Sequence, residues 1–599
     1  MKKILYTISV LFILTSLASC KKSFLDLKPL DQYSAGDVWD GSDASLIQSF
    51  INNIYLGFPQ GFDGDRIATS CYVDEAMLTF GRQTSSICQS LMTPSAYYGF
   101  DNNGSSVKNY TWEIVYKGVR ACNVFFDRID ASTAVSDKQK DQFKGEVHFL
   151  RAYLYQMLVA CYGGVPIITK SYQLNEEYAM PRNTYEECIK FIGDECDLAA
   201  ASLPLIASNK GRATKGAALA LKSRVLIYAA SDLHNSNASW ASGYANPELV
   251  GYVGGDRIAR WQAAKDAAKA VIDLNFYGLY KPDPQPGDDI AKNYADIFLL
   301  KETSEDIFVK FYLAKNAVNN IARYNAPNGF HCYGGSTPIG QLVDDYEMAD
   351  GSKFSWSNPT EAAQPYKNRE PRFYASILTD GQYLRPRPVD LQGIDPLGIV
   401  QTGRFERWNS TTNSIDIIPG LDTRQSPIED WNSSYTGYYV MKFMNRNVQG
   451  QFDWQDNPWR YIRYTEIVLN YAEACLGLGQ DAEAKTYINM VRKRAGVPGV
   501  TSSGQALIND YRHERRIELA YEDQRFFDVR RWMIPEQAYT DVQGINILYK
   551  LNPDKITTTP IYKVIPNVLH RAWNPSFYFL PIKLDEMNKN DKLIQNPLY

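Results

Sequence analysis

Apolar residues recur along much of this chain at the spacing of an amphipathic α-helix, a pattern that few other folds can accommodate. In the clearest run, five apolar residues occupy positions i, i+4, i+7, i+11 and i+18: Phe143, Val147, Leu150, Leu154 and Cys161. Such positions share one face of a helix. Ser136 and Gln139 form a capping box before the run, and Gly163-Gly164 and Pro166 follow it. The sequence therefore predicts a mainly α fold.

The same periodicity predicts further helices. They cover about 184–203, begin at Thr214 and near Trp261, and cover 464–477 and 482–491. Between the last two, Gly477 and Gly479 form a glycine-rich turn, and alanines lie where the two helices would touch. Two short helices joined in this way form a hairpin like a tetratricopeptide unit. We expect at least two such hairpins.

Residues 511–532 are predicted to form one charged helix. Glu522 with Arg525, and Asp528 with Arg531, are spaced i, i+3, where opposite charges can pair on one face. A carboxylate-rich active site is one interpretation of this segment. A packed structural helix with ion pairs is the favoured one.

Between about residues 281 and 450 the helical periodicity is lost. Gly, Pro, Asn and Ser recur, and aromatic residues are scattered without period: Tyr324, Phe330, Tyr333, Trp356, Trp408, Trp431, Tyr435, Tyr438 and Tyr439. A long irregular stretch in a compact protein is usually functional. We expect loops and short strands laid over the helical frame.

The N-terminus has the features of an exported, lipid-modified protein. Lys2 and Lys3 precede an apolar run over 4–17, which is too short to span a bilayer core about 30 Å thick. Ala18-Ser19-Cys20 then resembles a bacterial lipobox, which implies cleavage before Cys20 and lipid on its sulfur and new amino group. Several acyl chains would give stable anchoring. An ordinary secretory signal with a chance cysteine is the alternative.

Composition and motif searches argue against several classes of function. The 599 residues include 63 Lys and Arg against 67 Asp and Glu, and a net charge of −4 does not suit a nucleic-acid binder. HExxH, GxSxG and P-loop motifs are absent, and the five histidines lack ligand spacing, so each is expected to be structural. The acidic loop that begins at Asp283 lacks the Gly and distal Glu of a calcium loop. We predict no catalytic residue, metal ligand or cofactor.

One stretch near the N-terminus has the make-up of a glycan-binding surface. Aromatic rings can cover the apolar face of a sugar, while amides, carboxylates and arginine bind its hydroxyl groups. The residues of this kind are Tyr72, Asp74, Phe80, Arg82, Tyr97, Tyr98, Phe100, Asp101, Asn102 and Asn103. Rings that cover a core are the alternative, but for the stretch as a whole we favour a binding face.

Several of these segments together resemble the SusD/RagB family of outer-membrane lipoproteins of the Bacteroidetes. The matching motifs, in chain order, are the lipobox with Phe24-Leu25-Asp26, WEIVYKGVRACN with Trp112, Tyr116 and Asn123, GEVHFLRAYLYQMLVACYGGVPI, RYTEIVLNYAEA, VRKRAGV, ERRIELAYEDQRFFDVRRW and the terminal FLPIKLDEMNKNDKLIQNPLY. Lys583 stands where a proline is usual, and Leu598 where a glycine is usual. The resemblance spans almost the whole mature chain.

The resemblance implies a SusD-like α/α superhelix of tetratricopeptide-like units, with an irregular region that supplies the ligand face. It implies a non-enzymatic lipoprotein on the outside of the outer membrane, which captures oligosaccharide or polysaccharide and delivers it to a TonB-dependent SusC-like transporter. The ligand-binding residues that it implies are Asp74, Arg82, Tyr97, Tyr98 and Asn102, with Tyr324, Phe330 and Tyr333 opposite them.

The expected organisation has five parts. They are a signal peptide over 1–19, a lipidated tether over 20–45, an N-terminal helical region over 46–280, the irregular region over 281–450 and a C-terminal helical region over 451–599. Two other functions stay open. The same architecture could bind peptides, as RagB-like relatives do, through an extended groove that reads the backbone. A lipid-anchored glycoside hydrolase is the third possibility, without a positive signal in the sequence.

Overall fold

The computed structural model describes residues 35–41, 43–58, 62, 68–80, 87–97, 110–173, 175–313, 319–447 and 455–599. The predicted signal peptide and four predicted functional residues lie outside these ranges: Cys20, Arg82, Tyr98 and Asn102. In the described part of the chain, no helix is both long and apolar enough to cross a membrane.

Helices make up most of the regular secondary structure, as predicted. Within the described residues they are α1 (Ala35–Trp39), α2 (Ala44–Leu56), α3 (Ala68–Cys71), α4 (Trp112–Ile129), α5 (Asp137–Tyr162), α6 (Tyr185–Ser202), α7 (Lys215–Ala230), α8 (Arg257–Ile272), α9 (Ile290–Leu299), α10 (Ile321–Asn325), α11 (Gly340–Asp345), α12 (Pro359–Ala363), α13 (Pro371–Ser376), α14 (Tyr464–Gly477), α15 (Asp481–Arg494), α16 (Gly504–Glu518), α17 (Arg525–Arg531), α18 (Pro535–Ala538) and α19 (Leu584–Lys589).

Short strands accompany the helices. They are β1 (Ala76–Leu78), β2 (Asp306–Lys310), β3 (Ser336–Pro338), β4 (Ile377–Leu378), β5 (Arg404–Asn409), β6 (Ser414–Pro419), β7 (Tyr439–Val440), β8 (Trp459–Arg463), β9 (Val542–Leu551) and β10 (Thr558–Leu569). β1 pairs with β3, β2 with β8 and β4 with β7, all antiparallel. The remaining four form a sheet in the order β10-β9-β5-β6.

The long helices form a superhelix in which each one packs on the next. α4 packs on α5, and the series continues through α6, α7 and α8 to α14, α15 and α16. Chain order is interrupted once, between α8 and α14, by residues 273–463, which we call the insert. The insert contains the predicted irregular region. The described chain is therefore the predicted tetratricopeptide-like helical scaffold with a loop-rich segment set into it.

The helix boundaries follow the signals in the sequence. At the start of α5, the Gln139 side chain accepts a hydrogen bond from the backbone N–H of Ser136 at 3.0 Å. At the start of α6, Thr184 caps the backbone N–H of Glu187. α14 ends at Gly477, where a Cβ atom would lie only 2.2 Å from the Trp261 ring of α8. The missing side chain thus allows α14 and α8 to pack closely.

The prediction of one helix over 511–532 is wrong. The segment forms α16 and α17, joined by a turn in which Tyr521 and Asp523 adopt left-handed φ values of 67° and 59°. The predicted pair of Asp528 with Arg531 is present at 2.7 Å. Glu522 and Arg525 do not pair with each other, because Glu522 lies in the turn and not on a helix. Glu522 instead contacts Arg463, and Arg525 contacts Asp74.

Buried ion pairs join the insert to the superhelix. Arg463, at the end of the insert, contacts Glu305 at 2.8 Å, Glu518 at 2.8 Å and Glu522 at 2.6 Å. Arg372 of the insert contacts Glu518 at 3.0 Å. All five side chains are buried. Charges in such surroundings are tolerated only when partners compensate for lost hydration, so this network ties the two parts together.

Candidate ligand-binding site

Strand pairing brings the end of β1 against the insert. Met77 is opposite Thr337 in the β1–β3 pair. Two residues further along the chain, the backbone N–H of Thr79 donates to the carbonyl oxygen of Gly335 at 2.7 Å. A Cβ atom on Gly335 would lie 3.4 Å from the Phe80 ring. The segment that follows Asp74 therefore contacts the irregular region.

Asn328 holds two loops of the insert together. Its Nδ2 donates to the carbonyl oxygens of Thr423 at 3.0 Å and Glu429 at 2.6 Å, and the side chain is fully buried. Hydrogen bonds of this kind are strong when water cannot compete. Residues 321–335, which begin with α10, and residues 421–435 are therefore fixed relative to each other. A Cβ atom on Gly334 would lie 3.3 Å from Ser433 Cα, so these two segments, which we call the first and second loops, form adjoining parts of one surface.

The first loop places two tyrosines and an arginine on that surface. The Tyr324 and Tyr333 rings meet edge to face, with centroids 5.2 Å apart. Arg323 Nη2 donates to the Tyr333 hydroxyl at 2.8 Å, and all three side chains are half-buried. The arrangement presents ring faces and polar tips together, as a surface that binds sugars or peptides would require.

The second loop adds two exposed aromatics and another arginine. Trp431 is 63% exposed and Tyr435 42% exposed, which is unusual for large rings on a protein surface. The Arg424 guanidinium lies 3.8 Å from the centre of the Tyr435 ring and donates to the carbonyl oxygen of Trp431 at 3.3 Å. We call the surface formed by both loops the aromatic face; it consists of Arg323, Tyr324, Tyr333, Arg424, Trp431 and Tyr435.

Polar groups lie at the edge of the aromatic face. His331 Nε2 is 2.9 Å from a carboxylate oxygen of Asp390. Glu429 bonds to Asn432, and burial raises the pKa of Glu429 above its ordinary value, although the Asn432 amide and the nearby His331 oppose this. Hydrogen-bond donors and acceptors are thus available beside the rings.

Two of the predicted ligand residues lie on the aromatic face, namely Tyr324 and Tyr333. Phe330 is buried beneath it, with its ring centre 4.1 Å from the Arg387 guanidinium. Tyr97 is also buried, and the Lys583 ammonium lies 4.9 Å from its ring centre, close to the C-terminal segment. Phe330 and Tyr97 therefore pack in the core and present no ring to a ligand in this structure.

Asp74 is part of the buried ion-pair system. Its oxygens accept hydrogen bonds from Arg525 Nε at 2.9 Å and Nη2 at 2.8 Å, and Arg516 Nη1 lies 3.3 Å away. Burial alone would raise the pKa of Asp74, but the two arginines hold it well below its usual range. Both oxygens are occupied, so this structure gives Asp74 a structural role rather than a place on the ligand face.

Sequence reasoning did not single out four members of the aromatic face: Arg323, Arg424, Trp431 and Tyr435. Trp431 and Tyr435 belong to the aromatics noted as scattered through the irregular region, and nothing in the local sequence separates them from buried Tyr438 and Tyr439. Exposure is decided by contacts between distant loops. The arginines had no signal except proximity to aromatic residues.

Within the described part of the chain, the histidines and acidic clusters show no metal-binding geometry. In the residues that the structure describes, no three His, Cys, Asp or Glu side chains are grouped to hold a metal ion. His234 stacks on Tyr185 at 4.2 Å, and burial lowers the pKa of His234 to about 4. Asp283 forms an exposed ion pair with Lys493.

Two family models match the chain. The model described as "SusD family" matches residues 305–599, and the model described as "Starch-binding associating with outer membrane" matches residues 23–227. The chain belongs to the SusD/RagB family.

Curated relatives and solved structures agree with this assignment. A SusD-like protein of Bacteroides ovatus is 22% identical over 70% of this chain and 65% of its own length. SusD-like protein P25 of Formosa agariphila is 22% identical over 81% of this chain and 78% of its own. The chain thus spans 65% and 78% of the lengths of these two relatives.

Among solved structures, a SusD-like protein of Bacteroides fragilis is 28% identical with a TM-score of 0.73, covering 96% of this chain and 100% of that one. A second protein of Bacteroides fragilis, described as a SusD-like carbohydrate binding protein, is 21% identical with a TM-score of 0.69, covering 92% and 99%. The second likeness shows the shared fold.

Proposed function

We propose that this protein captures oligosaccharide or polysaccharide at the cell surface without chemically altering it. The observation that carries the proposal is the aromatic face, where exposed rings and arginines from two fixed loops form one surface. Ring faces can stack on the C–H face of a pyranose, and the arginines and edge carboxylates can bind its hydroxyl groups. The match of residues 23–227 to a starch-binding family, and the shared fold with a SusD-like carbohydrate binding protein of Bacteroides fragilis, support the same proposal.

The site that we propose differs from the one that the family resemblance implies. It keeps Tyr324 and Tyr333, and it adds Arg323, Arg424, Trp431 and Tyr435. Arg82, Tyr98 and Asn102 lie outside the described residues and stay candidates from the family resemblance. Cys20 as the lipid anchor, and delivery of ligand to a TonB-dependent SusC-like transporter in the outer membrane, complete the proposed role.

Affinity electrophoresis tests the proposal. The protein without residues 1–20 is run through gels that contain single polysaccharides, and the same samples are assayed for released sugar. We expect one polysaccharide to retard the protein without hydrolysis. Trp431→Ala and Tyr324→Ala should each reduce the apparent affinity at least about fivefold, because stacking on one ring contributes about 1 to 3 kcal/mol by analogy with stacked bases.

Tyr178→Ala is the matched control. Tyr178 is 55% exposed but lies near α19, where its hydroxyl donates to the backbone of Lys589, so its loss should leave retardation unchanged. Release of sugar would contradict the non-enzymatic role. Retardation that survives both face substitutions would place the glycan elsewhere, and binding of peptides alone would favour a RagB-like function.

A further inference from the structure

A cleft lies between α2, the loop that precedes α7, and strand β2. Its volume is about 460 Å³, within the range of ordinary small-ligand sites. The described residues that line it are Gln48, Asn52, Tyr55, Leu56, Phe58, Asn209, Lys210, Gly211, Arg212, Phe308, Val309, Lys310, Phe311 and Tyr461. None of them belongs to the aromatic face, so the cleft is a separate feature of the molecule.

Aromatic rings form much of the cleft wall. Phe58 and Phe308 are buried, with ring centres 6.3 Å apart. Tyr461 stacks on Phe308 with centroids 5.2 Å apart and planes inclined by 26°. Tyr55 and Phe311 are half-buried, so part of each ring faces solvent. The cleft therefore offers apolar ring surface to a ligand.

Arg212 supplies an unused hydrogen-bond donor. Its Nε donates to Glu146 at 2.7 Å and its Nη1 to Asn52 at 2.8 Å. The side chain is only 10% exposed. Among the described residues, Nη2 is buried without a hydrogen-bond partner. An unsatisfied buried donor costs about 1 to 3 kcal/mol. The Nη1 bond to Asn52 is exposed and can exchange, so the guanidinium can turn on its Glu146 bond and offer a donor to a ligand oxygen in the cleft.

The charge of the lining favours an anion. Lys210, Arg212 and Lys310 line the cleft, and the described lining residues include no Asp or Glu. Arg212 is balanced by Glu146 behind it, and Lys210 by an exposed pair with Glu302. Exposed pairs are weak and exchange readily, so Lys210 can turn to a bound carboxylate.

We propose that this cleft binds one unit of an acidic saccharide. The sugar ring packs against the aromatic wall, the carboxylate accepts a hydrogen bond from Arg212, and the amides of Gln48, Asn52 and Asn209 bind hydroxyl groups. The proposal extends the proposed function, since it names hexuronate-bearing glycans as one class of ligand. The cleft shares no residue with the aromatic face, so an experiment can disprove binding at one site without disproving binding at the other.

Isothermal titration calorimetry of the mature lipoprotein, in a sugar-free polyoxyethylene detergent at low salt, tests the cleft. The probes are glucuronate, glucose and acetate. We expect glucuronate to bind at least tenfold more tightly than either of the others, because only glucuronate combines the ring with the carboxylate. Lys210→Gln should weaken glucuronate binding severalfold, and Arg212→Lys should weaken it at least tenfold.

Lys170→Gln is the control, since Lys170 is an exposed lysine paired with Glu176 away from this cleft. Thermal unfolding of each variant shows whether it is folded. If Arg212→Lys does not fold, Lys210→Gln still tests the cleft. No binding of glucuronate, or equal binding of glucose or acetate, would overturn the proposal. Loss of glucuronate binding in Trp431→Ala with no effect of Lys210→Gln would also overturn it, while leaving the proposed function intact.

Discussion

Asp74 and Glu75 are adjacent buried carboxylates whose pKa values move in opposite directions. The arginine partners of Asp74 hold its pKa low, as described above. Burial raises the pKa of Glu75 to about 7, and the charge of Asp74 reinforces this shift, while the hydrogen bond from the Tyr521 backbone opposes it. One Glu75 oxygen accepts from the backbone N–H of Tyr521 at 3.2 Å, and the other has no partner among the described residues.

The raised pKa of Glu75 predicts a stability that depends on pH. Its folded pKa exceeds the unfolded value of about 4.3, so its contribution is present below pH 4 and is lost as pH rises through 7. Glu75→Gln should therefore stabilise the protein at pH 8, by about 3 to 4 kcal/mol, and change little at pH 4.5. Urea unfolding at the two pH values measures the difference, and equal effects at both would contradict the prediction.

At the scale of single residues, the sequence indicates the chemical type of a side chain but not the residues that it contacts in the fold. An acidic residue beside aromatics suggested a ligand contact at Asp74, but its partner Arg525 lies 451 positions away. No local pattern encodes such a pairing. Tyr324 and Tyr333 were implied by the family resemblance; both are half-buried on the aromatic face, and their contact with a ligand stays a prediction.

Helices were predicted well because their signals are local. Capping residues, glycine stops and apolar spacing all act within one or two turns, so α5, α6, α7, α8, α14 and α15 appear where the sequence indicated. The break between α16 and α17 was missed for a different reason. The turn there is stabilised by distant contacts of Glu522 with Arg463 and Lys442.

The close contact of α14 with α8 predicts a strong effect at Gly477. Gly477→Ala would place a methyl group against the Trp261 ring and should destabilise the protein by about 1 to 3 kcal/mol. Gly193→Ala in α6 is the matched control. A Cβ at Gly193 meets no atom within 4 Å, so alanine should stabilise that helix by up to about 1 kcal/mol. Thermal unfolding of both variants should show shifts of opposite sign.

For the whole molecule, the helical scaffold and its loop-rich insert were expected from periodicity and family resemblance. The sheet β10-β9-β5-β6 was not. Its strands come from the insert and from the C-terminal region, and β5 meets β9 in parallel at Arg404 and Leu548. Pairing across such a distance leaves no signal in either segment alone.

The buried ion pairs predict how the whole protein responds to acid. Burial would raise the pKa values of Glu473 and Glu518, but their arginine partners hold both at about 2. Because these values lie below the unfolded ones, the contribution is present above about pH 4.3 and is lost as pH falls through 2. The free energy of unfolding should therefore fall steeply from pH 5 to pH 2, measured by urea unfolding followed by tryptophan fluorescence.

The salt dependence of the acid sensitivity distinguishes buried ion pairs from charges on the surface. Buried pairs are screened little, so raising sodium chloride from 0.05 to 0.5 M should change the acid dependence only slightly. Constant stability down to pH 3, or a dependence abolished by salt, would contradict the assignment to the buried pairs.

The insert leaves and rejoins the superhelix at neighbouring points. Gly477 lies against Trp261, and Asp273 contributes with burial to the raised pKa of Tyr464, so α8 and α14 run antiparallel with the ends of the insert side by side. When end points are fixed, doubling a loop costs only about 0.6 kcal/mol in closure entropy. Insertions and deletions within the insert can therefore accumulate during evolution while the superhelix stays folded. The residues that anchor the insert, such as Glu305 and Arg372, must be kept. New ligand preferences can arise by exchanging this one segment.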